Sequence, residues 1–316
     1  NYTTGTKGGP QPWTPATCND MCSSTKSVFG TAVGVFLDEH NDKVNLETDL
    51  VGKSRATSLI PQIWDQPLTD ERKKDIKIKH AISMTSGHET REPWDAPTPR
   101  HHFDGYSGAY QMMEYCFGWW YFEDIPHHHT LLFQPGTGFN YSNYGMEQVS
   151  LAIKNITGEE LGPYIYDRVL KHIGMPIEIR DVRYREMPEM DGKALNYSNQ
   201  PGWATGGSIG CDAYGADKSV SPYGFNSISG SSFRCTARDF ARLGYLWLKK
   251  GRWGNQQLVP KEWMEVATKR FQRDNGETPN NYGYSFWILD DMPGVPKDAY
   301  MSRGFNMNDC YVVPSL

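Results

Sequence analysis

The apolar positions are most concentrated near the start of the chain. Val28-Phe29-Gly30-Thr31-Ala32-Val33-Gly34-Val35-Phe36-Leu37 is a nearly unbroken run, long enough for a core helix and about half of what a bilayer span needs. A polar turn, Asp38–Lys43, follows, and Val44-Asn45-Leu46 alternates like a short strand. The alternation from Ile76 predicts a strand running into a short helix that ends at Gly87. Helical spacing predicts further helices over 107–122 and Met146–Ile156. The clearest amphipathic segment is Thr236–Leu248, closed by Lys249-Lys250-Gly251, with another helix from Pro260 to Thr268. Tyr282–Leu289 alternates like a strand, and Ser302–Phe305 with Cys310–Pro314 reads as strand, turn, strand. Residues 1–20 read as a loop or arm. The excursions at 88–104 and 181–230 read as long loops shaping a cleft. The pattern is that of an α+β protein.

Candidate chemistry begins where the first helix does. Ser23-Ser24-Thr25-Lys26 places a hydroxyl and an amine one helical turn apart, and it is the only Ser-x-x-Lys in the chain. A serine becomes nucleophilic when a neighbouring base takes its proton, and a partly desolvated lysine is such a base. The plainer alternative is an N-cap serine beside a solvated lysine. Farther on, Gln134-Pro135-Gly136-Thr137-Gly138-Phe139-Asn140-Tyr141-Ser142-Asn143 is a turn that delivers Tyr-x-Asn to the mouth of a helix. There a phenol can shuttle a proton and an amide can hold substrate or orient the lysine. A second Tyr-Ser-Asn, Tyr197–Asn199, runs into Gln-Pro-Gly and reads as loop. Gly206-Gly207-Ser208-Ile209-Gly210 matches a nucleophile elbow but lacks the strand before and helix after that the elbow needs. His127-His128-His129 resembles a metal tract, yet consecutive side chains diverge, and a solvated or structural role is expected.

Composition narrows the classes. The 316 residues carry a net charge of −5 with no basic run longer than Arg72-Lys73-Lys74, which argues against a nucleic-acid partner. Six cysteines, at 18, 22, 116, 211, 235 and 310, and Asn-x-Ser/Thr sequons at Asn1, Asn140, Asn155 and Asn196 favour an oxidising compartment. The expectation is therefore a secreted or lumenal glycoprotein with disulfides. Cys18 and Cys22 could pin the N-terminal arm or form half of a metal site.

In this order the motifs resemble those of the serine beta-lactamase and penicillin-binding-protein superfamily, in its class C-like esterase and amide-hydrolase branch. Ser-x-Thr-Lys-Ser opens the helix and Ile76–Gly87 follows. Then come Pro-Gly-Thr-x-Phe-x-Tyr-Ser-Asn, the Thr-Ala-Arg-Asp helix with its Lys-Lys-Gly-Arg-Trp exit, and Tyr-Gly-Tyr-x-Phe-Trp. The resemblance implies an antiparallel sheet flanked by helices, formed by 1–40 and 231–316. Beside it would lie a mainly helical subdomain, 41–230, with the active site between them. It further implies that Ser23 attacks a carbonyl, assisted by Lys26 and Tyr141, and that backbone N–H groups of Ser23 and Phe305 hold the oxyanion. Asn143 would touch substrate or Lys26.

Relatives carry Lys-Thr-Gly or His-x-Gly where Ser302-Arg303-Gly304 stands here, so Arg303 would supply the charge for a substrate carboxylate. Only 22 residues precede Ser23 and the chain stops at Val-Val-Pro-Ser-Leu, so the sheet is expected to be incomplete at both ends. The leading expectation is a hydrolase of a small ester or amide, beta-lactams included, with no cofactor, metal or membrane span. The rival is an inactive binding or assembly module, with a homo-oligomer as one outcome. A zinc hydrolase built on His127–His129 is the third.

Overall fold

The computed structural model describes residues 17–65, 67–89, 130–176, 229–230, 233–277 and 280–316, with short pieces at 3–4, 11–12, 15 and 202–203. The predicted helix over 107–122, His127–His129, Tyr197–Asn199, Gly206–Gly210, Cys116, Cys211 and most of both excursions lie outside the described residues.

The central element is α1, Thr25–Glu39, in which every residue from Thr25 to Phe36 is buried. A helix apolar all round must be covered all round. The cover comes from α3, Tyr144–Thr157, from α4, Leu161–Ile165, and from α6, Lys261–Ala267. Gly34 makes one of these contacts possible, because a Cβ there would lie 2.1 Å from Cδ1 of Trp263 on α6. The short α2, Ile78–Ile82, packs on α3, which ends at Gly158 in the left-handed conformation (φ 75°). The next described helix, α5, is Ala237–Leu248. Its start carries a capping box in which the Thr236 hydroxyl accepts from Asp239 N–H at 3.1 Å.

Among the described residues the strands are short and their pairing is antiparallel. Thr3–Thr4 (β1) pairs with Gln11–Pro12 (β2), and Arg252–Trp253 (β6) pairs with Gln256–Gln257 (β7). One three-stranded sheet has the order β3-β5-β4, from Cys18–Asp20 (β3), Gly202–Trp203 (β4) and Phe233–Thr236 (β5). The other has the order β10-β9-β8, from Trp287–Ile288 (β8), Tyr300–Ser302 (β9) and Cys310–Val312 (β10). Helix α5 packs on both β5 and β10, and a continuous hydrophobic cluster runs from Met21 to Val312. The architecture is α+β.

Three local expectations are corrected. Val44–Leu46 is not a strand: the N–H groups of Lys43 and Val44 both return to the His40 carbonyl and close the end of α1 as a turn. The stretch from Ile76 forms only a single bridge, Lys77 with Asp49, before entering α2. In Tyr282–Leu289 only Trp287–Ile288 is strand, because Ser285 adopts φ 67° and folds the chain back. Ser285 is held there by its N–H to the Ile82 carbonyl (3.0 Å) and by the Ser27 hydroxyl donating to its own carbonyl (2.7 Å).

Of the described cysteines, Cys18 and Cys310 are free thiols. Cys18 and Cys235 occupy adjacent strands one register step apart, so their side chains point to opposite faces. Of the sequons, the described amides are engaged: Asn140 donates to the His88 carbonyl (2.7 Å) and Asn155 to that of Leu59 (2.9 Å). Among the described residues no cluster of His, Cys, Asp and Glu could hold a metal, and no helix is long and apolar enough to cross a membrane.

Candidate active site

Ser23 stands in a single 3-10 turn, Cys22–Ser24, between β3 and α1. Cys22 takes a positive φ of 48°, an uncommon conformation for a residue with a side chain. The turn is gripped from the opposite sheet. The Ser24 hydroxyl donates to the Asn308 carbonyl, and the buried Ser302 hydroxyl donates to the Ser24 carbonyl at 3.1 Å. Gly304 presses against the turn so closely that a Cβ would lie 2.1 Å from the Met21 carbonyl oxygen. The third motif therefore braces the serine turn through Ser302 and Gly304, while Arg303 and Phe305 project into solvent.

Lys26, one helical turn on, is only 1 % exposed. A buried amine needs partners, and its Nζ lies 3.2 Å from Ser23 Oγ and 2.7 Å from the Gly230 carbonyl oxygen. It also sits over the Tyr141 ring, 4.9 Å from the centroid. Tyr141 is fixed by stacking on Trp287 (5.8 Å, 19°) and by an edge contact with Tyr282 (6.3 Å, 86°). Burial, and the nearby Tyr141, push the Tyr282 phenol well above its ordinary range, so Tyr282 stays a neutral wall. Asn143 occupies the N-cap position of α3 without a side-chain capping bond and lies against Gly230, where a Cβ would come within 2.6 Å of Asn143 Oδ1. Ser23, Lys26, Tyr141 and Asn143 are thus brought together around Lys26 and Gly230.

Two buried groups at this locus escape motif reading. Glu147, on the inward face of α3, is 1 % exposed, and its Oε1 accepts the N–H groups of Ser229 (3.0 Å) and Gly230 (3.1 Å). Burial pushes its carboxyl up to about 7, against the downward pull of those N–H groups and of Lys26. No sequence signal marked it, because the burial of every residue from Tyr144 to Ile153 is set by the fold. His88 is the other. Burial, and then the Lys73 charge, push it down to about 3, so its ring is neutral. Gln148 Nε2 lies 3.3 Å from its Nε2, and its Nδ1 lies 2.9 Å from Ser86 Oγ. An amide NH2 can only donate, so Nε2 accepts and Nδ1–H donates to Ser86.

Chemically, the arrangement offers a hydroxyl with a short path for its proton to a buried amine. Residues 2–306 match the Beta-lactamase family, and the chain belongs to that family. A D-aminopeptidase of Gluconobacter oxydans (strain 621H) is 25% identical over 183 residues, which are 56% of this chain and 29% of that protein. The match thus spans less than a third of that relative's length. The octameric penicillin-binding protein homologue of Pyrococcus abyssi superposes with a TM-score of 0.58 at 14% identity, over 98% of this chain and 62% of that one. A D-stereospecific amidohydrolase from Streptomyces sp. gives 0.55 at 16% identity, over 90% and 74%. At these identities the two structures establish the shared fold.

Proposed function

We propose that the chain is a serine hydrolase that forms an acyl-enzyme on Ser23 and releases it by hydrolysis, with esters or amides as substrates. The observation that carries this is the buried Lys26 Nζ, 3.2 Å from Ser23 Oγ. The Oγ–carbon bond forms as the Oγ proton moves to Lys26, and the leaving alcohol or amine departs with a proton delivered by Lys26 or Tyr141. Water then attacks the ester carbonyl, and Oγ regains its proton. The developing oxyanion is held by the backbone N–H groups of Ser23 and Phe305, and the Asn143 amide contacts substrate or steadies Lys26. The third-motif side chains Ser302 and Arg303 leave that backbone donor in place, and Arg303 offers a charge to a substrate carboxylate at the rim.

The names of the relatives support amides among the substrates, those with a D-configured residue first. The test is intact mass after treatment with a fluorophosphonate probe, with the Ser23→Ala protein beside it. A single adduct that the substitution abolishes is expected. Folded protein that takes no adduct, or labels equally without Ser23, would overturn the reading and favour a binding module.

A further inference from the structure

Glu147 has no part in the scheme above, yet it lies directly behind Lys26. Its Oε1 takes both successive N–H groups of Ser229 and Gly230, and the next carbonyl along, that of Gly230, receives the Lys26 amine at 2.7 Å. Lys26 in turn reaches Ser23 at 3.2 Å. The structure assigns Glu147 as a positioning residue of the acylation step, fixing the Ser229–Gly230 turn so that its carbonyl anchors Lys26 and stabilising the ammonium that forms there. The inference rests on the serine-hydrolase reading, since it concerns how Lys26 receives the Ser23 proton.

The physical argument has two parts. The first is geometric. An acceptor shared by two consecutive N–H groups holds both peptide units, and Asn143 lies so close to Gly230 that a Cβ there would come within 2.6 Å of its Oδ1. Without that hold, a glycine would let the carbonyl swing and leave Lys26 one partner short in a buried site. The second is electrostatic. As Ser23 oxygen bonds to the substrate, its proton moves to Nζ and a full positive charge appears in a low-dielectric pocket. An ionised Glu147 favours that charge at no reorganisation cost.

Among the described residues, the charged group facing Glu147 is Lys26 of α1. From α2, His80 is turned to Asp274 (2.9 Å), and from the following turn His88 is occupied by Ser86 and Gln148. Among the described residues Glu147 is therefore the acid coupled to Lys26, and with its carboxyl raised to about 7 its ionisation falls in the working pH range.

The test uses the whole chain. Second-order rate constants for fluorophosphonate labelling are measured from pH 5.5 to 8.5 for wild type, Glu147→Gln and Glu147→Ala. Glu147→Gln keeps an oxygen acceptor for both N–H groups and removes the charge. The wild-type rate should rise through a step near pH 7 that Glu147→Gln lacks, with the two equal within about twofold at pH 5.5 and about 10-fold apart at pH 8.5. Glu147→Ala, losing the acceptor as well, should be slower than both at every pH. Equal profiles for wild type and Glu147→Gln would overturn the assignment, as would a uniform loss across pH, which is what a purely structural role gives.

A second readout is independent of turnover. In Ser23→Ala protein, the Ser229 and Gly230 amide resonances and the ε-methylene resonance of Lys26 should titrate together with a midpoint near pH 7. The midpoint should vanish with Glu147→Gln. Resonances that do not share it would overturn the link even if labelling occurs. A shared midpoint in protein that never labels would retain the Glu147–Lys26 coupling and sink the hydrolase reading alone.

Discussion

At the scale of single residues, the serine turn is held by groups with no chemistry of their own. Gly304 meets the Met21 carbonyl and the Ser24 N–H, which flank Ser23, and a Cβ there would approach them to 2.1 and 3.1 Å. Gly304→Ala should shift that turn, costing about 1–3 kcal/mol of stability. A nucleophile displaced by an ångström loses on the order of 10²-fold in rate, so labelling at Ser23 should fall far more than stability does. Ser302→Ala separates two roles. If Ser302 only ties β9 to the Ser24 carbonyl, its loss should lower stability by about 1 kcal/mol and leave KM unchanged. A raised KM at wild-type stability would return Ser302 to substrate contact. The juxtaposition of Ser23 and Lys26 was legible from the chain alone because one helical turn separates them. The Gly230 anchor was not, since it lies 204 residues away in sequence and acts through its backbone.

At the scale of elements, legibility follows how local the stabilising interactions are. Helix α5 was readable because its start signal, Thr236 three residues before Asp239, is a side-chain hydrogen bond within one turn. Thr236→Ala should cost about 1 kcal/mol, measured as a lower denaturant midpoint at unchanged m-value. The strand expected over Tyr282–Leu289 failed for the opposite reason. Its alternation is real, but Ser285 is fixed by partners on α1 and α2, and those tertiary bonds outweigh β-propensity. Helix α1 was readable as a core helix, while the role of its glycines was not, because Trp263 supplies the other half of that contact. Gly34→Ala, a helix-favouring change in isolation, should here destabilise by about 1–3 kcal/mol, since the indole cannot stay where it is. A thermal midpoint equal to or above wild type would show that α6 moves aside freely.

At the scale of the whole molecule, the order of motifs indicated the family and the α+β class, whereas the interior charges had no sequence signature and together set the pH response. His88 is buried neutral and pushed down to about 3, so the folded chain binds fewer protons than the unfolded one below pH 6.5. Its contribution is complete above that pH and is lost as pH falls toward 3, roughly 5 kcal/mol in all. Glu147 has the opposite sign. With its carboxyl raised to about 7, the folded chain holds a proton that the unfolded chain has released, so stability falls as pH rises from about 4.5 to 7, by roughly 3 kcal/mol. Between about pH 4.5 and 6.5 each group accounts for one proton in opposite directions, and their slopes cancel. His80, held down by burial against the pull of Asp274, adds to the His88 side and leaves a shallow rise with pH. Below that window Glu147 no longer offsets His88. Carboxylates such as Asp75 and Glu47, held below the usual range first by their lysine partners, also begin to lose stability there. Denaturant unfolding at pH 5, 5.75 and 6.5 should thus give a shallow wild-type profile. Glu147→Gln should convert it to a rise of up to about 1.4 kcal/mol per pH unit, and His88→Gln should convert it to a fall. Three parallel profiles would mean that neither group keeps, on folding, the protonation state its surroundings impose.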